Sequence, residues 1–154
     1  YKQLIKKVMK KITLLFALAL ISYVGVNAQA KKQLNLGLIG VSYEIPVASA
    51  ITVAPTAFTT FELNYFTLGV KSNYYFDELV GLSNPWDFYA GLNLGFGIAM
   101  NSDYSSDLDL GAQIGGRWFW NDKWGVYLEL GGGKLAGSSG EGGLLGGAGV
   151  TVVL

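Results

Sequence analysis

The chain has 154 residues, of which 51% are hydrophobic and 14% are charged, and it contains no Cys and no His. This length suits one domain, and the charged fraction is low beside the roughly 25% of an ordinary soluble domain. Without His or Cys there is no imidazole base, thiolate nucleophile or Ser-His-Asp triad. We therefore expect a protein that is not an enzyme and that carries no metal or other cofactor.

The first thirty residues have the pattern of an export signal. Basic residues follow Met9, an apolar run covers 12–24, and Ala28 and Ala30 form a small-x-small cleavage pattern. The apolar run is shorter than the roughly 20 residues of a spanning helix, which disfavours a membrane anchor. The sequence predicts that 1–30 comprise upstream residues and a cleaved signal peptide, and that 31–154 form an exported domain.

The predicted exported domain is acidic. Residues 31–154 contain six basic and eleven acidic residues, a net charge of −5. A chain with this charge and no cluster of Lys or Arg lacks the electrostatic footprint of a nucleic-acid-binding protein. We expect no nucleic-acid partner.

After residue 30, apolar residues alternate with small or polar residues, which is the period of a β-strand. In 86–98, every even position is apolar, and the odd positions are Asp, Tyr, Gly or Asn. Successive side chains point to opposite faces, so this strand has one apolar and one polar face. The same pattern and the turn signals between segments predict an antiparallel meander. Its seven segments are 33–44, 50–60, 64–76, 86–100, 106–120, 123–133 and 142–154.

Such strands fit a soluble barrel with an apolar core or a membrane barrel with an apolar exterior. The polar face lacks the Lys and Glu coat of a soluble surface, and it is rich in Gly, which suits a crowded narrow interior. Aromatic residues concentrate beside two turns, which predicts a girdle at one membrane interface. The predicted girdle consists of Tyr74, Phe76, Trp86, Trp118, Trp120 and Trp124.

Three segments also carry a family resemblance. WDFYAGLNLGFGIAM (86–100), DLGAQIGGRWFWNDKWGVYLELGGG (109–133) and GAGVTVVL (147–154) resemble the small outer-membrane β-barrel proteins of Gram-negative bacteria, especially those common in Bacteroidota. The resemblance implies an all-β, antiparallel up-and-down transmembrane β-barrel in the outer membrane. It also implies outer-membrane lipid and the outer-membrane assembly machinery as partners, and it identifies no partner for the loops.

The number of strands follows from chain length. Bacterial single-chain barrels have even strand counts, and a spanning strand needs about 9–11 residues, which excludes sixteen strands here. Either one segment within 33–64 comprises two strands, or the barrel is incomplete in this chain. We expect eight strands, without a position for the missing boundary. An eight-stranded interior is filled by side chains, so a general porin is excluded.

Charged and amide side chains on the polar faces predict an interior polar network. Its members are Lys71, Asn93, Asp109, Arg117 and Glu129. A hairpin centred on Asp122 places Arg117 opposite Tyr127 and one same-face step from Glu129, so we predict an Arg117–Glu129 ion pair shared with Lys71. A structural plug is favoured over a proton or ion path.

An acidic loop offers a weaker candidate site. Asp103, Asp107 and Asp109 have oxygen ligands at a spacing that could hold Ca²⁺. The segment lacks the glycine turn and terminal Glu of an EF-hand loop, so a solvated loop is favoured.

Three functions are consistent with this sequence. The first is a non-enzymatic integral outer-membrane barrel with a filled polar interior that contributes to envelope structure or presents surface loops. The second is a narrow conduit for ions or small solutes. The third is a soluble periplasmic β-barrel that binds an apolar ligand.

Overall fold

The computed structural model describes residues 30–82, 84–103, 106–134 and 142–154, so the predicted signal peptide lies outside the described residues except for Ala30. Eight antiparallel strands, each paired with the next and the last with the first, form a closed up-and-down barrel. The strands are β1 (Gln33–Gly37), β2 (Gly40–Ala48), β3 (Ile51–Thr59), β4 (Tyr65–Tyr75), β5 (Trp86–Ala99), β6 (Asp107–Phe119), β7 (Trp124–Lys134) and β8 (Gly142–Val153). A short 3-10 turn, Asp77–Val80, lies between β4 and β5. Within the described ranges, no helix has the length and apolarity needed to cross a membrane.

The predicted eight-stranded architecture is confirmed, and the missing boundary lies in the segment 33–44. β1 ends at Gly37 and β2 begins at Gly40, so this segment contains a tight hairpin. The predicted register of the β6–β7 hairpin is also confirmed, because Arg117 lies opposite Tyr127.

The barrel has two unlike ends. We call the end that carries the β1–β2, β3–β4, β5–β6 and β7–β8 connections the loop end. The other end carries the remaining three connections, the start of β1 and the end of β8, and we call it the turn end.

The polar side chains point inward and the large apolar side chains point outward. Glu44, Thr52 and Asn73 are fully buried inside the barrel. On the outer surface, Leu92 is 68% exposed and Leu128 is 59% exposed. The alternation in the sequence therefore separates a polar interior from an apolar exterior, the reverse of an ordinary soluble barrel.

Candidate functional site: the barrel interior

Glu44 on β2 is the centre of a polar cluster in the turn-end half of the interior. Its carboxylate is fully buried and accepts hydrogen bonds from side chains on β1, β3, β4 and β6. The donors are Gln33 Nε2 at 3.4 Å, Asn35 Nδ2 at 2.9 Å, Thr52 Oγ1 at 2.7 Å, Asn73 Nδ2 at 3.2 Å, Tyr75 Oη at 2.6 Å and Arg117 Nη2. A buried carboxylate is tolerated only with such compensation by charge and hydrogen bonds.

Arg117 on β6 supplies the positive charge of this cluster. Its guanidinium is buried, forms an ion pair with Glu44 and donates a hydrogen bond to the hydroxyl of Tyr75. The guanidinium carbon also lies 4.3 Å from the ring centroid of Tyr89 and 5.6 Å from that of Tyr75, within the range of cation–π attraction. These contacts fill the lumen between β2, β4, β5 and β6.

A second ion pair lies toward the loop end. Lys71 Nζ of β4 donates to Glu129 Oε2 of β7 at 2.8 Å. The hydroxyl of Tyr89 donates to the same carboxylate oxygen at 2.9 Å. The Lys71 and Glu129 side chains are 10% and 19% exposed, so this pair is more accessible than the Arg117–Glu44 pair.

The predicted Arg117–Glu129 ion pair is wrong, although the register behind it is right. Tyr89 lies between the two ions, because its ring faces the guanidinium of Arg117 and its hydroxyl binds Glu129. Arg117 instead reaches across the lumen to Glu44, and Glu129 pairs with Lys71.

The amide side chains connect the two halves of the interior. Asn93 Nδ2 donates to Gln113 Oε1 at 2.9 Å, and Gln113 Nε2 donates to Asn73 Oδ1 at 3.1 Å. Asn73 in turn donates to Glu44. The predicted member Asn93 is thus linked to Arg117 through side-chain hydrogen bonds.

Asp109, the remaining predicted member, contacts β4. It is buried, and it accepts a hydrogen bond from Thr67 Oγ1 at 2.8 Å. Asp109 is therefore held against β4, and this contact gives no support to a calcium loop with Asp103 and Asp107. Within the described ranges, no group of three or more acidic side chains could hold a metal ion.

Sequence reasoning did not identify Glu44, Tyr75 or Gln113 as members of the site. Tyr75 and Gln113 occupy the alternating inward positions of their segments, so the strand period could have indicated them. The facing of Glu44 depends on the unrecognised turn between β1 and β2, which the change from even to odd apolar positions at Leu38 and Ile39 could have indicated.

The turn end carries a further charged contact and is surrounded by aromatic side chains. Lys31 Nζ lies 3.7 Å from the buried carboxylate of Asp87 and 4.6 Å from the ring centroid of Phe119. All six predicted girdle residues lie toward this end. The four tryptophans are 40–48% exposed, and they are Trp86, Trp118, Trp120 and Trp124. The other two residues, Tyr74 and Phe76, are partly buried.

A cavity of about 370 Å³ occupies the loop-end half of the interior. Lys71, Asn93, Gln113 and Glu129 contribute polar groups to its lining, and Phe58 contributes an apolar one. The interior therefore combines a densely hydrogen-bonded turn-end half with a loop-end half that has room for a small guest.

No family model, curated protein or solved structure matches the chain.

Proposed function

We propose that the chain is a non-enzymatic integral β-barrel of the outer membrane that contributes to envelope structure or presents its loops to partners. The observation that carries this proposal is the inverted facing of the strands. A soluble monomer rarely exposes a contiguous apolar patch larger than a few hundred Å². Here exposed large hydrophobic residues occur on β1, β2 and each strand from β4 to β7, and Leu154 follows β8, so apolar side chains cover most of the barrel's circumference.

Strand length and closure support a spanning role. β4 to β7 contain 11 to 14 residues each, and a tilted strand needs about 9–11 residues to cross the hydrocarbon core. Closure pairs each strand with two neighbours, which satisfies most of the backbone groups internally, as a bilayer requires. The exposed tryptophans at the turn end suit an interface between lipid and water.

The location in an outer membrane is supported by the sequence. The predicted signal peptide would direct export, and the following strands lack the long apolar run that retains a helix in the inner membrane. The resemblance to small outer-membrane barrels agrees with both features.

The filled turn end favours a closed barrel over a conduit. Arg117 and Glu44 are both fully buried and lie across the lumen from each other. An ion that followed this path would need to displace their hydrogen bonds and the Tyr75 and Tyr89 rings beside them. A narrow conduit is therefore our second candidate, supported by the more open cavity in the loop-end half.

Fractionation tests the location, and gel mobility tests the folded barrel. The full chain, expressed in a Gram-negative host, should sediment with outer membranes and require detergent for extraction. Folded membrane barrels resist dodecyl sulfate until boiled, so the boiled and unboiled samples should migrate differently. Recovery in the periplasmic fraction after lysis without detergent would reject the proposal and support the soluble barrel.

A further inference from the structure

At the loop end, the barrel wall extends less far at the β1–β2 hairpin than at the neighbouring strand β8. β1 ends at Gly37, opposite Gly149 of β8, and Leu38 N donates to Ala148 O at 3.1 Å. β8 nevertheless begins at Gly142. In the part of the chain that the structure describes, no strand pairs with this edge of β8 before Ala148. We call the resulting gap above the hairpin, between β8 and β3, the notch.

The cavity lies at the level of the notch. Its lining includes Gly37 and Gly40, which flank the hairpin turn, and Gly147 at the unpaired edge of β8. Across the lumen from the hairpin it includes Lys71 and Glu129. Its volume of about 370 Å³ falls within the range of small-molecule sites.

The cavity has an apolar rim and a polar inner wall. The rim includes Leu38, Ile39, Phe58 and Phe61, all at the loop end beside the notch. The outer surface at the hairpin is apolar as well, since Leu38 is 77% exposed and Val41 on β2 is 42% exposed. The notch thus joins a polar interior to an apolar exterior.

The charge of the inner wall selects among head groups. Lys71 and Glu129 form a neutral pair in which each side chain retains some exposure. A head group of one sign would be attracted by one member and repelled by the other, whereas a zwitterion can complement both. Unpaired backbone groups at the β8 edge would also require hydrogen-bond partners at membrane depth.

We propose that the cavity and the notch bind a single-chain amphiphile with a zwitterionic head group. The head lies beside Lys71 and Glu129, and the chain leaves through the notch into the bilayer. This inference rests on the proposed membrane location. A second polypeptide strand added to the β8 edge would use the same gap, but it would leave the polar inner wall without a ligand.

Photolabelling tests the site in folded protein. The full exported domain is refolded into vesicles of dimyristoylphosphatidylglycerol with a lysophosphatidylcholine that carries a diazirine on the acyl chain near the head group. After illumination, mass spectrometry should locate the label mainly on 37–41 and 56–61. Unlabelled lysophosphatidylcholine should compete for these positions better than an alkyl phosphate or an alkyl trimethylammonium of equal chain length.

A cavity-filling variant separates the site from the general outer surface. A Cβ at Gly147 would lie 3.7 Å from Tyr127 Cε2, an ordinary contact, so Gly147→Leu should fold and occupy the cavity. We expect it to lose the labelling at 37–41 and 56–61. The matched control Ala112→Leu adds the same side chain on the outward face of β6 and should keep this labelling.

The outcomes distinguish the two proposals. A chain that inserts and shows heat-modifiable migration, but is labelled evenly around its outer surface, overturns the site and leaves the membrane location standing. Unchanged labelling of Gly147→Leu also overturns the site. Competition by an extended peptide but not by lysophosphatidylcholine would favour strand addition and overturn it. A chain that fails to insert overturns both proposals.

Discussion

The buried carboxylate of Glu44 and the buried guanidinium of Arg117 depend on each other. Each is fully inaccessible to solvent, and together they are neutral. Removing one member leaves an uncompensated charge in a dry site, which costs about 3–5 kcal/mol, while removing both costs less than the sum of the two single changes.

We therefore expect Glu44→Gln and Arg117→Met to destabilise the barrel strongly and non-additively. Urea unfolding in lipid vesicles, applied to both single variants and the double variant, measures the coupling. Lys71→Met and Glu129→Gln provide the matched cycle, and we expect a smaller coupling there because water reaches those side chains. Additive effects at Glu44 and Arg117 would contradict the buried ion pair.

The sequence could not predict which side chains contact each other across the lumen. The β6–β7 register could be predicted because Asn121-Asp122-Lys123 marks a local turn. The partner of Arg117 is 73 residues away on a strand that is not its neighbour. Alternation indicates which side chains share the interior, but it does not indicate which of them meet across it.

At the scale of the strands, two inward glycines differ in what an added side chain would contact. Gly115 lies opposite Tyr89 on β5, and a Cβ at Gly115 would overlap the Tyr89 ring. Gly147 lies opposite Glu129, and a Cβ there would make an ordinary contact with Tyr127. One glycine makes room for the aromatic ring that separates the two ion pairs, whereas the other faces the cavity.

We expect Gly115→Ala to destabilise the barrel by about 1–3 kcal/mol, the usual cost of overpacking. Gly147→Ala should be neutral or slightly stabilising, because it adds a side chain to a strand without a clash. Urea unfolding of the two variants in the same vesicles makes the comparison. Equal losses would mean that the Tyr89 ring does not lie over Gly115.

The first hairpin shows why one element boundary and one site residue were missed together. The segment 33–44 has no Pro, Asn or Asp at Leu38 and Ile39, and its only sign of a turn is that the apolar positions change there from even to odd. A single strand would place Glu44 on the face of Leu34. In the structure, Leu34 lies opposite Tyr43. The inward positions therefore change from odd residue numbers on β1 to even residue numbers on β2, and Glu44 faces the interior.

At the scale of the whole molecule, substitutions on the outer surface distinguish a barrel surrounded by lipid from one surrounded by water. Leu94 is 53% exposed near the middle of β5. If the barrel spans a bilayer, Leu94→Arg should cost about 2–4 kcal/mol, the penalty near the midplane. Leu79→Arg is the matched control, since Leu79 is 56% exposed in the 3-10 turn outside the strands. Equal stability of Leu94→Arg and the unmodified chain in vesicles would argue for a soluble barrel.

Conductance tests whether the side chains that fill the turn end close the barrel or leave a conduit. We expect the unmodified chain to show no channel current above leak in planar bilayers. The double variant Glu44→Ala/Arg117→Ala removes the largest obstruction without leaving an unpaired charge, so we expect it to conduct.

The control for this experiment is Lys71→Ala/Glu129→Ala, which removes a neutral ion pair from the cavity side of the lumen. It leaves Glu44, Arg117 and Tyr75 in place, so we expect it to remain closed. Heat-modifiable migration of each variant shows that the compared barrels are folded. Steady channels from the unmodified chain, with a current close to that of the Glu44→Ala/Arg117→Ala variant, would mean that these side chains do not block the lumen. The conduit would then replace the closed barrel as the better account of this interior.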